Sequence, residues 1–375
     1  MPSVRCLVLG CAASFAAAAT PATVLAQSVP AAGSPVYARV AGNSLQHLGG
    51  YAFVGYASSD DAESFDALGF NPIVHFTYQD RLLFEGELEV TAGADGETEV
   101  ELEYGVVEWL FSENAFLVAG KFLSPVGNFF QQLHPAWINK LPTAPLGFGH
   151  DGAAPLTEVG LQLRGGAAVG EQARLSYAVY VGNGPELEGA EESEIEAIAS
   201  EGFTRDADKK KTFGGRAAWL PLPTLEVGVS GAWGGAAVTT MDGQNVEDDP
   251  DRGYAAYGTD LWWRPLKALE FRGEYIAQQI DDEAASVAPE GGTWKAWFTQ
   301  AAWRIGDAPW ELALRYGEFT SPGNPDGWRQ LTPGVIYYIA PQALAKLAYE
   351  SNSGEVPEGM GSLDERVLLQ LAFGF

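Results

Sequence analysis

The chain has 375 residues, 45 of them glycine, with 46% hydrophobic and 12% aromatic content and a formal charge of −27. So acidic a chain is unsuited to nucleic acid phosphates, and beyond the first thirty residues no run of about 18 apolar residues offers a membrane-spanning helix. Both cysteines, Cys6 and Cys11, fall inside the leader read below, which excludes disulfides and thiol chemistry from the mature chain.

Residues 1–26 read as a secretory signal peptide, with Arg5 as the positive n-region, an apolar stretch from Cys6 to Ala19, and Val24-Leu25-Ala26 before a cleavage at Gln27. Leu9-Gly10-Cys11 hints at lipoprotein processing but leaves too short an apolar run after Arg5. Loss of Arg5 takes the mature charge to −28. Residues 27–47 form a short periplasmic N-terminal segment, and from 48 onward the chain breaks into alternating segments of about ten residues separated by turn residues. This is the pattern of a transmembrane antiparallel β-barrel.

The predicted strands are 48–58, 68–79, 81–91, 97–110, 115–124, 156–166, 171–182, 211–220, 223–234, 252–265, 267–280, 292–305, 309–320, 327–338, 341–350 and 363–375, about sixteen in all. Short connections such as Gln79-Asp80-Arg81 and Gly306-Asp307-Ala308 alternate with long acidic ones, which places both chain ends on the periplasmic side. On 81–91, Leu82, Phe84, Leu88 and Val90 oppose Glu85, Glu87 and Glu89. On 97–104, Val100, Leu102 and Tyr104 oppose Glu97, Glu99, Glu101 and Glu103. A carboxylate facing hydrocarbon is costly, so the glutamates are assigned to the lumen. The same period of two places Glu158, Gln162, Arg164, Arg174, Arg216, Glu226, Glu270, Arg272, Glu274, Glu311, Arg315, Lys346 and Gln370 inside. Glu108 breaks the alternation and calls for a bulge or an interfacial position.

Residues 125–155 are long, aromatic and nearly uncharged, unlike the other loops, and predict a constriction loop folded inward, carrying Phe129, Phe130, His134, Trp137 and Lys140; packing at a subunit interface is the alternative. Residues 183–211 hold seven glutamates between 186 and 201 and read as a solvated external loop, with divalent-cation bridging to anionic headgroups as a second use. Trp109, Trp219, Trp233, Trp262, Trp263, Trp303, Trp310, Tyr337 and Tyr338 lie near strand ends and suit two interfacial girdles. The final strand carries Val367, Leu369, Leu371, Phe373 and Phe375 on one wholly apolar face and ends on an aromatic.

Three segments resemble the phosphate-selective porin O and P family and its general-porin relatives: Ala119-Gly-Lys-Phe-Leu-Ser-Pro-Val-Gly127, Leu175-Ser-Tyr-Ala-Val-Tyr-Val-Gly-Asn-Gly184, and Val335-Ile-Tyr-Tyr-Ile-Ala-Pro-Gln342. With the final strand they cover about a fifth of the chain. The resemblance implies a sixteen-stranded channel that is commonly a homotrimer, with Lys121 lining the lumen at the constriction. It does not carry phosphate selectivity over, because glutamate rows stand where a basic ladder is needed.

The expectation is therefore an outer-membrane porin, a passive diffusion channel for small hydrophilic solutes or ions. Seven glutamates on neighbouring strands predict cation preference, with Arg164, Arg174, Arg216, Arg272 and Arg315 forming an opposed basic wall. Its partners are outer-membrane lipid and lipopolysaccharide, the barrel-insertion machinery and small solutes. A non-conducting barrel with an adhesive or envelope-structural role is the alternative. Catalysis is not assigned, since His47, His75, His134 and His150 sit in no nucleophile motif. Nor is a cofactor or metal, since His134 and His150 with Asp151 lack a third spaced ligand.

Overall fold

The computed structural model describes residues 44–59, 63–65, 67–93, 96–150, 152–190, 193–356 and 365–375. The signal peptide and most of the N-terminal segment lie outside them, as does Asp151. Sixteen long strands follow one another: β1 (Ser44–Ser58), β2 (Gly69–Tyr78), β3 (Leu82–Ala92), β4 (Thr98–Trp109), β5 (Ala115–Leu123), β6 (Thr157–Val169), β7 (Ala173–Gly182), β8 (Thr212–Leu222), β9 (Leu225–Ala236), β10 (Arg252–Leu266), β11 (Leu269–Ile280), β12 (Gly292–Arg304), β13 (Trp310–Ser321), β14 (Asn324–Ala340), β15 (Ala343–Gly354) and β16 (Arg366–Gly374). Each is antiparallel to its neighbours, and β16 returns to β1 with Tyr51 opposite Gly374 and Ser58 opposite Val367, so the sheet closes. Closure leaves no edge strand, so backbone groups pair strand to strand rather than with water, which is what a bilayer demands. β1 begins at Ser44 rather than at 48, and its first residues pair with β2 below the end of β16.

The short connections sit together at one end of the barrel. Gln79 and Asp80 both have φ near +52° in the β2–β3 turn, where Arg81 N–H donates to the Tyr78 carbonyl at 3.2 Å. Two residues of positive φ give the turn a twist that matches the flanking strands. The N-terminal strand and Phe375 share this end, linked by paired Gly50 and Phe375 backbone bonds.

The exterior is apolar. On β16, Val367, Leu369, Leu371 and Phe373 are exposed while Leu368, Gln370 and Ala372 are buried. Trp109, Trp219, Trp263, Trp303, Trp310 and Tyr337 point outward near the short-turn end, and Trp233 does so near the other. Trp262 and Tyr338 correct the girdle assignment. Each adjoins an aromatic neighbour in a strand, Trp263 and Tyr337, and since successive side chains alternate faces, only one of each pair reaches lipid. Trp262 lies opposite the inward Glu226 and Arg272, and the Tyr338 hydroxyl donates to Glu311 inside the barrel.

The interior is less polar than expected. Phe129 and Phe148 of the long β5–β6 connection stack edge-on against Phe298 of β12, and Trp294, Ile276 and Phe319 pack around them. The 183–211 segment also departs from a simple solvated loop. Glu186–Ala190 and Glu194–Ala199 pair as a hairpin, extended by Val238–Met241 and Gln244–Asn245. Leu187, Ile195 and Ile198 on these strands are buried. Glu188, Glu194 and Glu196 are exposed, so the segment is a small amphipathic sheet.

Candidate functional site

The site is the lumen, and the segment between β5 and β6 divides it. That segment crosses the barrel and is anchored on the far wall through groups from strands distant in sequence. Gly127 N–H donates to Ser230 Oγ at 3.1 Å, and Glu274 accepts Asn128 and Phe129 N–H at 2.8 and 2.9 Å. The last two bonds cap the single helical turn Phe129–Gln132, whose first N–H groups have no partner within the turn. Further along, Lys140 meets Glu311 at 2.9 Å and the Tyr338 hydroxyl at 3.0 Å, Arg315 donates to the Thr143 carbonyl at 2.8 Å, and Thr143 donates to Glu350 at 2.5 Å. Lys346 donates to the Ala136 carbonyl at 2.5 Å and to Gln370 at 2.7 Å. Trp137 packs against Gly374, where a Cβ would meet the indole ring. Burial disfavours the charge on Lys140, but Glu311 outweighs it and the pKa is raised.

On this packed wall Glu274, Gln278, Arg315, Lys346 and Glu350 are all buried. Most of the basic residues read as an opposed wall are held by carboxylates or by the loop. Arg216 is held by Asp260 at 2.6 Å and Glu226 at 2.7 Å, Arg272 by Glu270 at 2.7 Å, and Arg164 by Glu108. Arg174 lies exposed at the short-turn rim of β7.

The opposite wall, β3 and β4, is wetter. Glu85, Glu89 and Glu103 are half-buried, and Glu97, Glu99 and Glu101 are exposed toward the long-loop mouth. Glu87 is buried, at 1% exposure, beneath the loop's His134, and Glu108 is buried nearer the short-turn end. A bulge shapes this wall: Glu87 faces Tyr104 while the next residue, Leu88, faces Leu102, so Glu103 is the extra residue. The insertion shifts the side-chain parity by one. Tyr104 therefore turns inward instead of outward, and Glu108 also turns inward, where it meets Arg164. Lys121 departs from its expected place too. It shares the parity of Leu117 and Ala119, opposite the inward Val118 and Phe122, and its side chain ends against Gly202 rather than in the lumen.

All four histidines lie along this acidic side. His150 stands near the mouth, 3.3 Å from Glu201, whose hydrogen bond pushes its pKa up to about 9. His134 Nδ1–H donates to the Phe130 carbonyl, and its Nε2 lies 3.9 Å from Glu87. Burial opposes a charge on His134, but Glu87 and Glu103 outweigh burial and raise its pKa. His75 bonds Glu85 at 2.8 Å and faces His47 across the β1–β2 ladder.

A closed barrel of sixteen strands with an apolar outer band and a loop folded into its lumen has close counterparts among solved structures. No family model and no curated protein sequence matches the chain. It is similar to the outer membrane channel DcaP of Acinetobacter baumannii, at 12% identity over 90% of this chain and 99% of that one, with a TM-score of 0.60. The fold is that of outer-membrane porins. An anion-selective porin from Comamonas acidovorans is similar at 13% identity over 88% of this chain and 100% of that one, TM-score 0.56. OmpT of Vibrio cholerae, an outer membrane protein, is similar in its trimer form at 13% identity over 88% and 99%, TM-score 0.57. Such low identity speaks to architecture, and with the apolar exterior it makes this chain an outer-membrane barrel. The likeness is to outer-membrane porins and channels generally.

Proposed function

We propose that the chain is a passive diffusion channel of the outer membrane with a preference for cations, its aqueous path running along β3 and β4. The observation that carries this reading is the unequal wetting of the two walls: Glu85, Glu89, Glu97, Glu99, Glu101 and Glu103 stay at least partly exposed on one side, while the other side is packed against the loop. Rows of acidic side chains in a pore favour cations, and Arg216, Arg272, Arg315 and Lys346 across the lumen are committed to carboxylates or loop carbonyls. The loop supplies the constriction through His134 beside Glu87. A homotrimer inserted by the barrel-assembly machinery into lipopolysaccharide-bearing membrane completes the proposal, supported by the trimer form of one neighbour.

Planar-bilayer recording tests it. Discrete KCl conductance steps from purified, heat-modifiable protein are expected. Correctly folded protein that conducts nothing contradicts the proposal and restores a structural or adhesive barrel with a plugged lumen.

A further inference from the structure

We propose that His47 and His75 form an open binding site for a divalent transition-metal cation at the short-turn end of the acidic wall, making such cations a substrate class of the channel. The proposal rests on the cation-channel reading for its meaning but on separate geometry for its site.

The two residues face each other in register on β1 and β2. Their Nδ1 atoms are 3.4 Å apart, with ring centroids at 5.5 Å, and share a hydrogen bond that a metal would replace once the His47 ring proton moves to Nε2 or leaves. Two imidazole nitrogens bound tetrahedrally to one zinc ion, each at about 2.05 Å, stand about 3.4 Å from one another. Neither strand need move for a metal to enter between them. His75 also carries the support that metal-binding imidazoles need. Its Nε2 is 2.8 Å from Glu85, so Nε2 holds the ring proton and Nδ1 presents its lone pair toward His47. Glu85 thus acts as a positioning residue that fixes the tautomer and the orientation of the ring.

Among the described residues no group of three or more histidines, cysteines and carboxylates closes around a metal. A site built on two imidazoles holds a cation weakly enough for it to leave, as conduction requires. Imidazole with nearby carboxylate suits Zn²⁺, Cu²⁺ and Ni²⁺ rather than Mg²⁺ or Ca²⁺, which prefer oxygen alone. The other two histidines, each beside a glutamate, put imidazole and carboxylate along the whole route from the mouth.

Zn²⁺ titrated calorimetrically into the detergent-folded full chain tests the site without requiring conduction. Wild-type protein is expected to bind an ion that the His47→Ala/His75→Ala double variant does not. Glu85→Gln is expected to weaken that binding roughly 10–100-fold while the barrel stays heat-modifiable. In bilayers, Zn²⁺ added on the short-turn side should reduce K⁺ current through wild type and not through the double variant. Equal Zn²⁺ binding by wild type and double variant overturns the site even if the channel conducts cations. Binding that needs both histidines in a protein that conducts nothing keeps the site and removes the channel reading instead.

Discussion

The wall of β3 and β4 and the wall of β11 to β15 are built from the same kind of strand and differ in what covers their inner faces. Both alternate apolar residues toward lipid with charged residues toward the lumen. On β11 to β15 the inward charges are capped by the crossing loop: Glu274 by two backbone N–H groups, Arg315 by Thr143, Lys346 by the Ala136 and Leu141 carbonyls. On β3 and β4 the inward charges are mostly left to water. A charge in a barrel lumen is therefore structural or functional according to whether the loop reaches it, and strand sequence alone does not distinguish the two.

Deleting Gln131 to Lys140 removes the difference at its source and should have the largest effect, a several-fold rise in single-channel conductance with the barrel still heat-modifiable, since the loop lies outside the strand ladder. Unchanged conductance would mean that the loop does not set the narrowest point. The walls should also part in stability. Glu274→Ala orphans two buried N–H groups, at about 1–3 kcal/mol each, and should lower the unfolding free energy by roughly 3 kcal/mol. Glu101→Ala, at an exposed site, should cost within about 0.5 kcal/mol. Urea unfolding of both variants in detergent checks this, and equal losses would erase the contrast. A smaller effect is expected from Arg272→Gln: Arg272 is already committed to Glu270, so ion selectivity in bilayers should stay close to wild type, and a large swing would show that the packed wall also faces the ions.

Much of the barrel was legible in the sequence because the bilayer imposes a strict rule. Val367 through Phe373 alternate as they do because every second residue touches lipid, and the same rule located all sixteen strands. What escaped depended on insertions and distant partners. The bulge at Glu103 is invisible while Val100, Leu102 and Tyr104 seem to share a face; the misfit at Glu108 was its only trace. Trp262 and Tyr338 were misassigned although adjacency to Trp263 and Tyr337 carries the correction. Leu187, Ile195 and Ile198 alternate with glutamates in a strand pattern that sheer negative charge obscured. The loop's apolar character pointed inward, but its anchors, Glu274 and Lys346 among them, lie more than 100 residues away, and nothing local in the chain names them. The family motif around Lys121 suggested a lumen position, whereas pairing with β6 turns that side chain outward.

The central claim is that ions pass along the acidic wall, and the reversal potential across a KCl gradient at low salt tests it most directly. Wild type should show cation preference that weakens as salt rises and screening shortens the field to about 10 Å at 0.1 M, and Glu99→Gln/Glu101→Gln/Glu103→Gln should move the reversal potential toward zero. Anion preference in the wild type, or a triple variant indistinguishable from it, would contradict the account.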